Sequence, residues 1–459
     1  MGYAICLFRA FLHFFNNLNN SNLLMRLFDN YLDGLNDVLS KKVAVTPKLL
    51  QEQRMFSGDL QKSIQAKAVN ESTQNVPAVI EGPKVLFTYD KRFLEDKFGI
   101  NPHSFPFITI GPHPDFKELA DTNYINHHCV SVFVDIKGST RLIEKYSLLE
   151  VRLIKDSLLT LSIQVANQFG GHVHRLQGDG IFLQFVRRDK NENDAIINAL
   201  NASSILTQFV TKDLADIMKQ YELRPLKIRV GIDFGNADQV LWSYYGIPGC
   251  NELTTTSLHT DMAAKLQSKA YDNNILIGGN VKEKLDLKPE FYSIYESEVS
   301  KEKVYYISNQ FTYKFFVFNW QDYLLSLPYM GKSSDGKSIE VKEKQIHIEC
   351  FISDESGSNT ERYFPNSRSI PKGKKIVFRL KRGNSLYVKQ SFERIEWYAY
   401  NSGQEAESKN MSRHDFNKTN HNKVICETAA AYLGHHYVEC KIIRDHTGTE
   451  KFTFPIFVQ

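Results

Sequence analysis

The sequence predicts an α/β layer with helices on one face of a mainly antiparallel sheet, followed by an all-β sandwich and preceded by a helical segment. Three observations carry this. From Val130 onward, short apolar strands alternate with long amphipathic helices. Beyond about Gln345 the helical period stops, and short alternating runs recur between Gly, Asn and Ser. Before Val130 the chain shows one amphipathic stretch, a polar connector and a proline-dense approach. The expected units are a helical and irregular segment (1–125), an α/β domain (126–310), a connector (311–338) and a β-rich domain (339–459).

A chain of 459 residues is long enough for two or three domains. Its 42% hydrophobic and 24% charged content are ordinary globular values. A net charge of +4 is too small to point to nucleic acid. The six cysteines are scattered with no CxxC pair, which reads as a reduced, cytoplasmic chain. Residues 3–15 are apolar, but Arg9 and His13 interrupt them and they fall short of the ~20 residues a bilayer span needs. They also lack a signal peptide's basic start and cleavage site. The expectation is a helix covering a neighbour or a partner copy, with no stable membrane insertion.

In order, leucines and aromatics at helical spacing predict a helix over 22–40. Residues 57–82 read as a connector, and the prolines of 83–121 argue for irregular backbone leading into the core. A strand from Val130 ends in Asp135. A long helix over 142–169, a hairpin over 172–186, a helix over 194–221 and a strand over 226–234 follow. A Gly/Ser/Thr-rich loop leads to a helix over 258–269 and strands near 274–277 and 303–307. GKSSDGKS (331–338) has the composition of a flexible linker. The sandwich strands fall near 345–352, 375–380, 394–400, 436–443 and 452–458.

The chemistry concentrates between Val130 and Gly180. Asp135 ends a buried strand, and Asp179 sits in the hairpin turn Gly178-Asp179-Gly180. Two carboxylates on rigid elements suit the hard divalent cations that assist phosphoryl and nucleotidyl transfer. Backbone N–H groups of 137–140, opening the helix, would face phosphates. The plain alternative makes Asp135 a helix cap and Asp179 a turn residue.

FVDIKGST (133–140), HRLQGDGIFLQF (174–185), IRVGIDFG (228–235) and TDMAAKLQ (260–267) together resemble the class III nucleotidyl cyclase domain. The resemblance implies a ferredoxin-like cyclase fold working as a head-to-tail homodimer with sites at the interface. It implies two Mn²⁺ or Mg²⁺ ions per site, held by Asp135, the Ile136 carbonyl and Asp179. Phe133, Gly138, Ser139 and Thr140 would line the nucleotide. The reaction implied is attack of the ribose 3′-oxygen on the α-phosphate, releasing diphosphate.

The departures concern base reading. Adenylate cyclases carry Lys four residues before the second metal Asp, where this chain has Arg175. Their base-reading Asp falls near Thr254, their helix Asn is Asp261, and their transition-state Arg is Lys265. Lys265 offers a point charge without the guanidinium fork. Farther on, IEWYAYNSGQEAE (395–407), Arg413 and GHHYVEC (434–440) resemble the sensor domain that follows prokaryotic cyclases and signalling nucleotidyltransferases of antiphage systems.

The combination is similar to the pyrimidine cyclases of the Pycsar antiviral system. That resemblance implies CTP, or alternatively UTP, as the nucleoside triphosphate substrate. It implies cyclic CMP or cyclic UMP as messenger, Mn²⁺ as the metal, a separate cyclic-nucleotide-activated effector, and an infection-derived cue at the C-terminal domain. A purine cyclase and an inactive nucleotide-binding sensor remain the alternatives. The basic run PKGKKIVFRLKRG (371–383) reads as a strand with lysines guarding a sheet edge. The spacing of His421, Cys426, His435, His436 and Cys440 fits no common zinc pattern. Trp397 reads as sandwich core, and Lys301 and Lys303 are candidates to reach the triphosphate.

Overall fold

The computed structural model describes residues 92–459, apart from 297–304, 309–310, 343, 421 and 445–447. The helix expected over 22–40, the apolar residues 3–15, the connector 57–82, Lys301 and Lys303 lie outside the described residues. After helix α1 (Arg92–Phe98) the proline-dense chain runs as turns to a short strand, β1 (Tyr124–Asn126). The elements that carry the site follow: β2 (Cys129–Ile136), α2 (Thr140–Lys145), α3 (Leu148–Gln168), β3 (Gly171–Gln177), β4 (Gly180–Phe185) and α4 (Glu192–Phe209). A π-helical turn, Val210–Leu214, joins α4 to α5 (Ala215–Gln220). Then come β5 (Ile228–Gly235), β6 (Leu241–Ile247), β7 (Cys250–Thr256), α6 (Leu258–Lys269), β8 (Asn274–Gly278) and α7 (Gly279–Leu285). The strands β9 (Tyr292–Ile294), β10 (Tyr305–Ser308), β11 (Phe311–Tyr313) and β12 (Phe315–Phe318) lead into α8 (Trp320–Leu325).

Seven strands form one sheet in the order β3-β4-β2-β5-β8-β12-β9. Its pairs are antiparallel except β5 with β8. The period of two along β2 and β5 sorts side chains by face. Val130, Val132, Val134, Ile228, Val230 and Ile232 join Leu158, Leu161, Ile196 and Leu200 of α3 and α4 in one buried core. Each such buried aliphatic contributes about 1.5–3 kcal/mol. The intervening Ser131, Phe133, Asp135, Arg229, Gly231 and Asp233 point the other way, toward α6.

Five sequence expectations on this side of the chain need correction, the first being the irregular backbone over 83–121, where Arg92–Phe98 is helical. Helices were expected on one face of the sheet, but α6 covers part of the opposite face. Gly231 permits this, since a Cβ there would stand 2.1 Å from the Ala263 carbonyl. The single helix over 142–169 is two, because Ser147 and Glu150 form a capping box that starts α3 afresh. The supposed loop before α6 is the hairpin β6–β7, paired also with β1. The stretch 311–338 is no mere connector. Its β12 lies inside the central sheet, and β13 (Met330–Lys332) pairs with β14 (Ile339–Val341) around the supposed linker.

The C-terminal strands form two five-stranded sheets around a second core. One is built on β15 (Ile346–Ser353), β16 (Glu361–Tyr363), β18 (Lys375–Arg382), β19 (Ser385–Leu386) and β22 (Ile425–Ala429). The other contains β17 (Ser369–Ile370), β20 (Glu393–Tyr400), β21 (Arg413–Asp415), β23 (Gly434–Arg444) and β24 (Gly448–Val458). Trp397 is fully buried there. The basic strand β18 is not an edge: β15 pairs along one side, and Ile425–Ala429 with Ser385–Leu386 along the other. Its lysines instead form ion pairs across the outer face, Lys375 with Glu427 at 3.0 Å and Lys381 with Glu349 at 3.3 Å. Among the described residues no helix is long and apolar enough to cross a membrane.

Candidate functional site

Asp135 and Asp179 do come together. β4 pairs with β2 from Val130 to Val134, which carries the β3–β4 turn to the end of β2. Gly180 lies over this end: a Cβ there would stand 3.3 Å from the Val134 carbonyl and 3.7 Å from Asp135 Oδ1. Burial first, and then the neighbouring Asp179, push the Asp135 carboxyl above its ordinary range, with Arg229 opposing. Asp179 Oδ2 is sealed from solvent with no hydrogen-bond partner among the described residues. Its other oxygen lies 3.6 Å from Lys155 Nζ on α3.

Two residues that sequence reading missed complete this cluster. Arg229, directly across the strand pair from Asp135, donates from Nη2 to its Oδ2 and from Nη1 to the Ser268 carbonyl at 3.0 Å. Gln267 Nε2 donates to the same Asp135 oxygen at 3.2 Å from the buried side of α6. The available signal was the charged pair Arg229 and Asp233 in a mostly apolar strand, two positions that alternation puts on one face.

The donor set suits a hard divalent cation. Two facing carboxylates and the strand-end carbonyl of Ile136 supply oxygen ligands, and one carboxylate oxygen is buried without a donor. No group of three His, Cys, Asp or Glu that could hold a metal occurs among the described residues. A cation here would therefore share its coordination with substrate oxygens and water, as Mg²⁺ commonly does.

The remaining candidates fall around this centre. Phe133 is half-buried on the open face and stacks on Phe182 at 4.3 Å. Gly138, Ser139 and Thr140 form the exposed to half-exposed turn into α2, Gly138 with φ +71°. The Lys137 N–H is already donated to the Lys227 carbonyl at 2.8 Å, which removes it from the expected phosphate loop. Asp261 and Lys265 stand one turn apart on the solvent side of α6, opposite the buried Gln267. Within one chain they do not join the carboxylate cluster.

The geometry adds most at the positions expected to read the base. Arg175 meets no partner at Thr254, which pairs across the hairpin with Ser243. It forks instead onto Glu252, two residues earlier on β7, with Nε donating to Oε1 at 2.9 Å. His174 Nε2 lies 3.4 Å from the same carboxylate, and burial followed by Arg175 pushes its pKa down to about 4. Glu252 was missed because β6–β7 was read as an irregular loop. Recognising Pro248-Gly249 as its turn would have put Glu252 and Thr254 on one strand face.

Residues 329–458 match the family described as the adenylyl/guanylyl and SMODS C-terminal sensor domain. The adenylyl cyclase CyaB of P. aeruginosa aligns over 43% of this chain and 95% of its own at 16% identity. Its TM-score is 0.36. A cytidylate cyclase of Staphylococcus aureus is 37% identical over 337 residues, 72% of this chain and 78% of that protein. One from Escherichia coli is 35% identical over 59% of each. The paired carboxylates and these relatives define the class, a nucleotide cyclase followed by a sensor-type sandwich. Within that class, the chain belongs to the cytidylate cyclase family.

Proposed function

We propose that this protein converts CTP to 3′,5′-cyclic CMP and diphosphate. The similarity to the cytidylate cyclases supports the reaction, and the observation that carries the site is Asp135 beside Asp179 with Arg229 across the strand pair. The ribose 3′-oxygen bonds to the α-phosphorus as that phosphorus releases its oxygen bridge to the β-phosphate, with loss of the hydroxyl proton. A divalent cation, Mn²⁺ or Mg²⁺, bound as one ion or a pair, would supply charge neutralisation at the phosphates. Asp135, Asp179 and the Ile136 carbonyl would hold it. Arg229 would then exchange carboxylate for phosphate oxygens, a change its planar fork suits. Asp261 and Lys265 face outward and so fit a role in the site of a second copy, giving a head-to-tail homodimer.

Arg175 and Glu252 would read the base. Cytosine offers an N4 amino donor beside the N3 and O2 acceptors, matching a carboxylate next to a guanidinium. Uracil would turn its O4 lone pairs on Glu252. Purified protein given each triphosphate with Mn²⁺ is expected to turn over CTP best, and product from ATP or GTP alone would sink the reading. Glu252→Gln should shift the CTP-to-UTP rate ratio toward UTP by roughly tenfold, the scale of one lost bidentate match.

The sensor-type sandwich supports a role in antiphage signalling, with an infection cue acting there and a separate effector answering cyclic CMP in the cytoplasm. Cells carrying the gene with its neighbours should lose phage protection on Asp179→Ala. Unchanged protection would favour an inactive nucleotide-binding sensor.

A further inference from the structure

A cleft of about 720 Å³ opens where α1 and Tyr329 meet the sandwich. The chemistry above does not use it, and its size lies within the ~300–1,000 Å³ of small-molecule sites. Its lining carries four cations, Lys97, Lys342, Lys344 and Arg362, against two carboxylates, Asp96 and Glu349. Aromatic rings wall it: the Arg362 guanidinium lies 4.8 Å from the Phe364 ring and Lys97 Nζ 5.5 Å from the Tyr329 ring.

Two further observations mark the cleft as a built site. The Tyr329 hydroxyl is sealed from solvent and has no hydrogen-bond partner among the described residues. A buried hydroxyl left so is destabilising, which a bound acceptor would relieve. The junction is also tightly fitted. Gly99, at φ +79°, lets the Phe364 ring approach so closely that a Cβ would meet it at 2.8 Å. Burial lowers the His347 pKa most; Glu349 opposes, and Arg362, Lys381 and Lys97 lower it further, as a basic cleft would.

We propose that this junction cleft binds a small phosphorylated ligand bearing an aromatic base, a mononucleotide. The cations supply the phosphate contacts, the rings stack the base, and Tyr329 donates to an oxygen of the ligand. The walls come from both the cyclase side and the sandwich, so the ligand would touch both. The mononucleotide could be the enzyme's own product or one supplied from elsewhere in the cell.

The test is calorimetric titration of the full chain in EDTA, where no turnover occurs, with cyclic CMP, CMP, AMP and inorganic phosphate in turn. An inactive cyclase site would therefore not silence it. Saturable binding of at least one mononucleotide is expected, weakened tenfold or more by Lys342→Glu with Lys344→Glu, both exposed, at unchanged melting temperature. Tyr329→Phe should weaken it by a smaller factor. Preference for cyclic CMP would assign the site to product, and preference for AMP to an outside nucleotide. Phosphate binding as tightly as every nucleotide, no binding at millimolar concentration, or binding indifferent to the double substitution would each overturn the proposal.

Discussion

The two faces of the central sheet are made by the same strands and do opposite work. On one, Val130, Val132 and Val134 of β2 meet α3 and α4 in a continuous aliphatic core. On the other, Ser131, Phe133 and Asp135 of the same strand meet a single helix, α6, which leaves Phe133 and Asp135 half-buried. The closed face supplies stability through area removed from water. The half-covered face can keep charged groups close together because water and a ligand still reach them. A strand with period two serves both needs at once, and each face can be tested without touching the other.

The largest expected effect is on the open face. Asp135→Asn should reduce cyclisation to background while the apo protein melts no lower than wild type. The reason is the direction in which the Asp135 pKa moves: burial and Asp179 together disfavour its charge more than Arg229 favours it. A fall in melting temperature together with activity would make Asp135 a structural residue and erase the contrast between the faces.

Acid should act next most strongly, through histidines held neutral by burial. His128 is pushed down to about 3, and His174 and His436 to about 4, each first by burial. The unfolded chain takes up protons at these groups near pH 6.5, and the folded chain resists until well below. Stability should therefore be full above about pH 6.5 and fall steadily as pH drops toward 4. Each pH unit that separates a ring's folded pKa from its unfolded one is worth roughly 1.4 kcal/mol. Denaturant melts across pH 4–7 check this; a flat profile would mean these rings are solvated. On the closed face, Leu200→Ala in α4, where Leu200 is fully buried, should cost about 2–5 kcal/mol and leave turnover per folded molecule unchanged.

The closed face was the legible one. Alternation and helical period found β2, β5, α4 and α6 and, with the sandwich strands, most of the architecture, because burial repeats at fixed intervals. The pairing of Asp135 with Asp179 was legible for a different reason: either alone reads as a cap or turn residue, but the order of the elements brings the two together. Arg229, Gln267 and Glu252 were not, since each acts through a partner far along the chain. Register between β2 and β5 sets Arg229 on Asp135, α6 packing on Gly231 sets Gln267 there, and the unseen hairpin β6–β7 sets Glu252 on Arg175. Cross-strand register is a tertiary quantity that local pattern does not encode. The same limit explains β18, whose lysines suggested an edge until its partners on both sides were placed.

The smallest expected effect lies where the two faces meet, at Lys155. It projects from α3, a helix of the closed side, yet its Nζ lies 3.6 Å from Asp179 on the open side. The pair is partly exposed, so its direct worth to stability is only ~0–1 kcal/mol. Lys155→Met should keep the aliphatic stem packed and change melting little. It removes the one cation within ion-pair reach of Asp179 among the described residues, so Asp179 would be freer to engage a cation. Half-saturation by Mn²⁺ should move to lower concentration by a few-fold, with the CTP KM unchanged. A change in KM instead would place Lys155 on the triphosphate, and the boundary between the faces would then run through α3 itself.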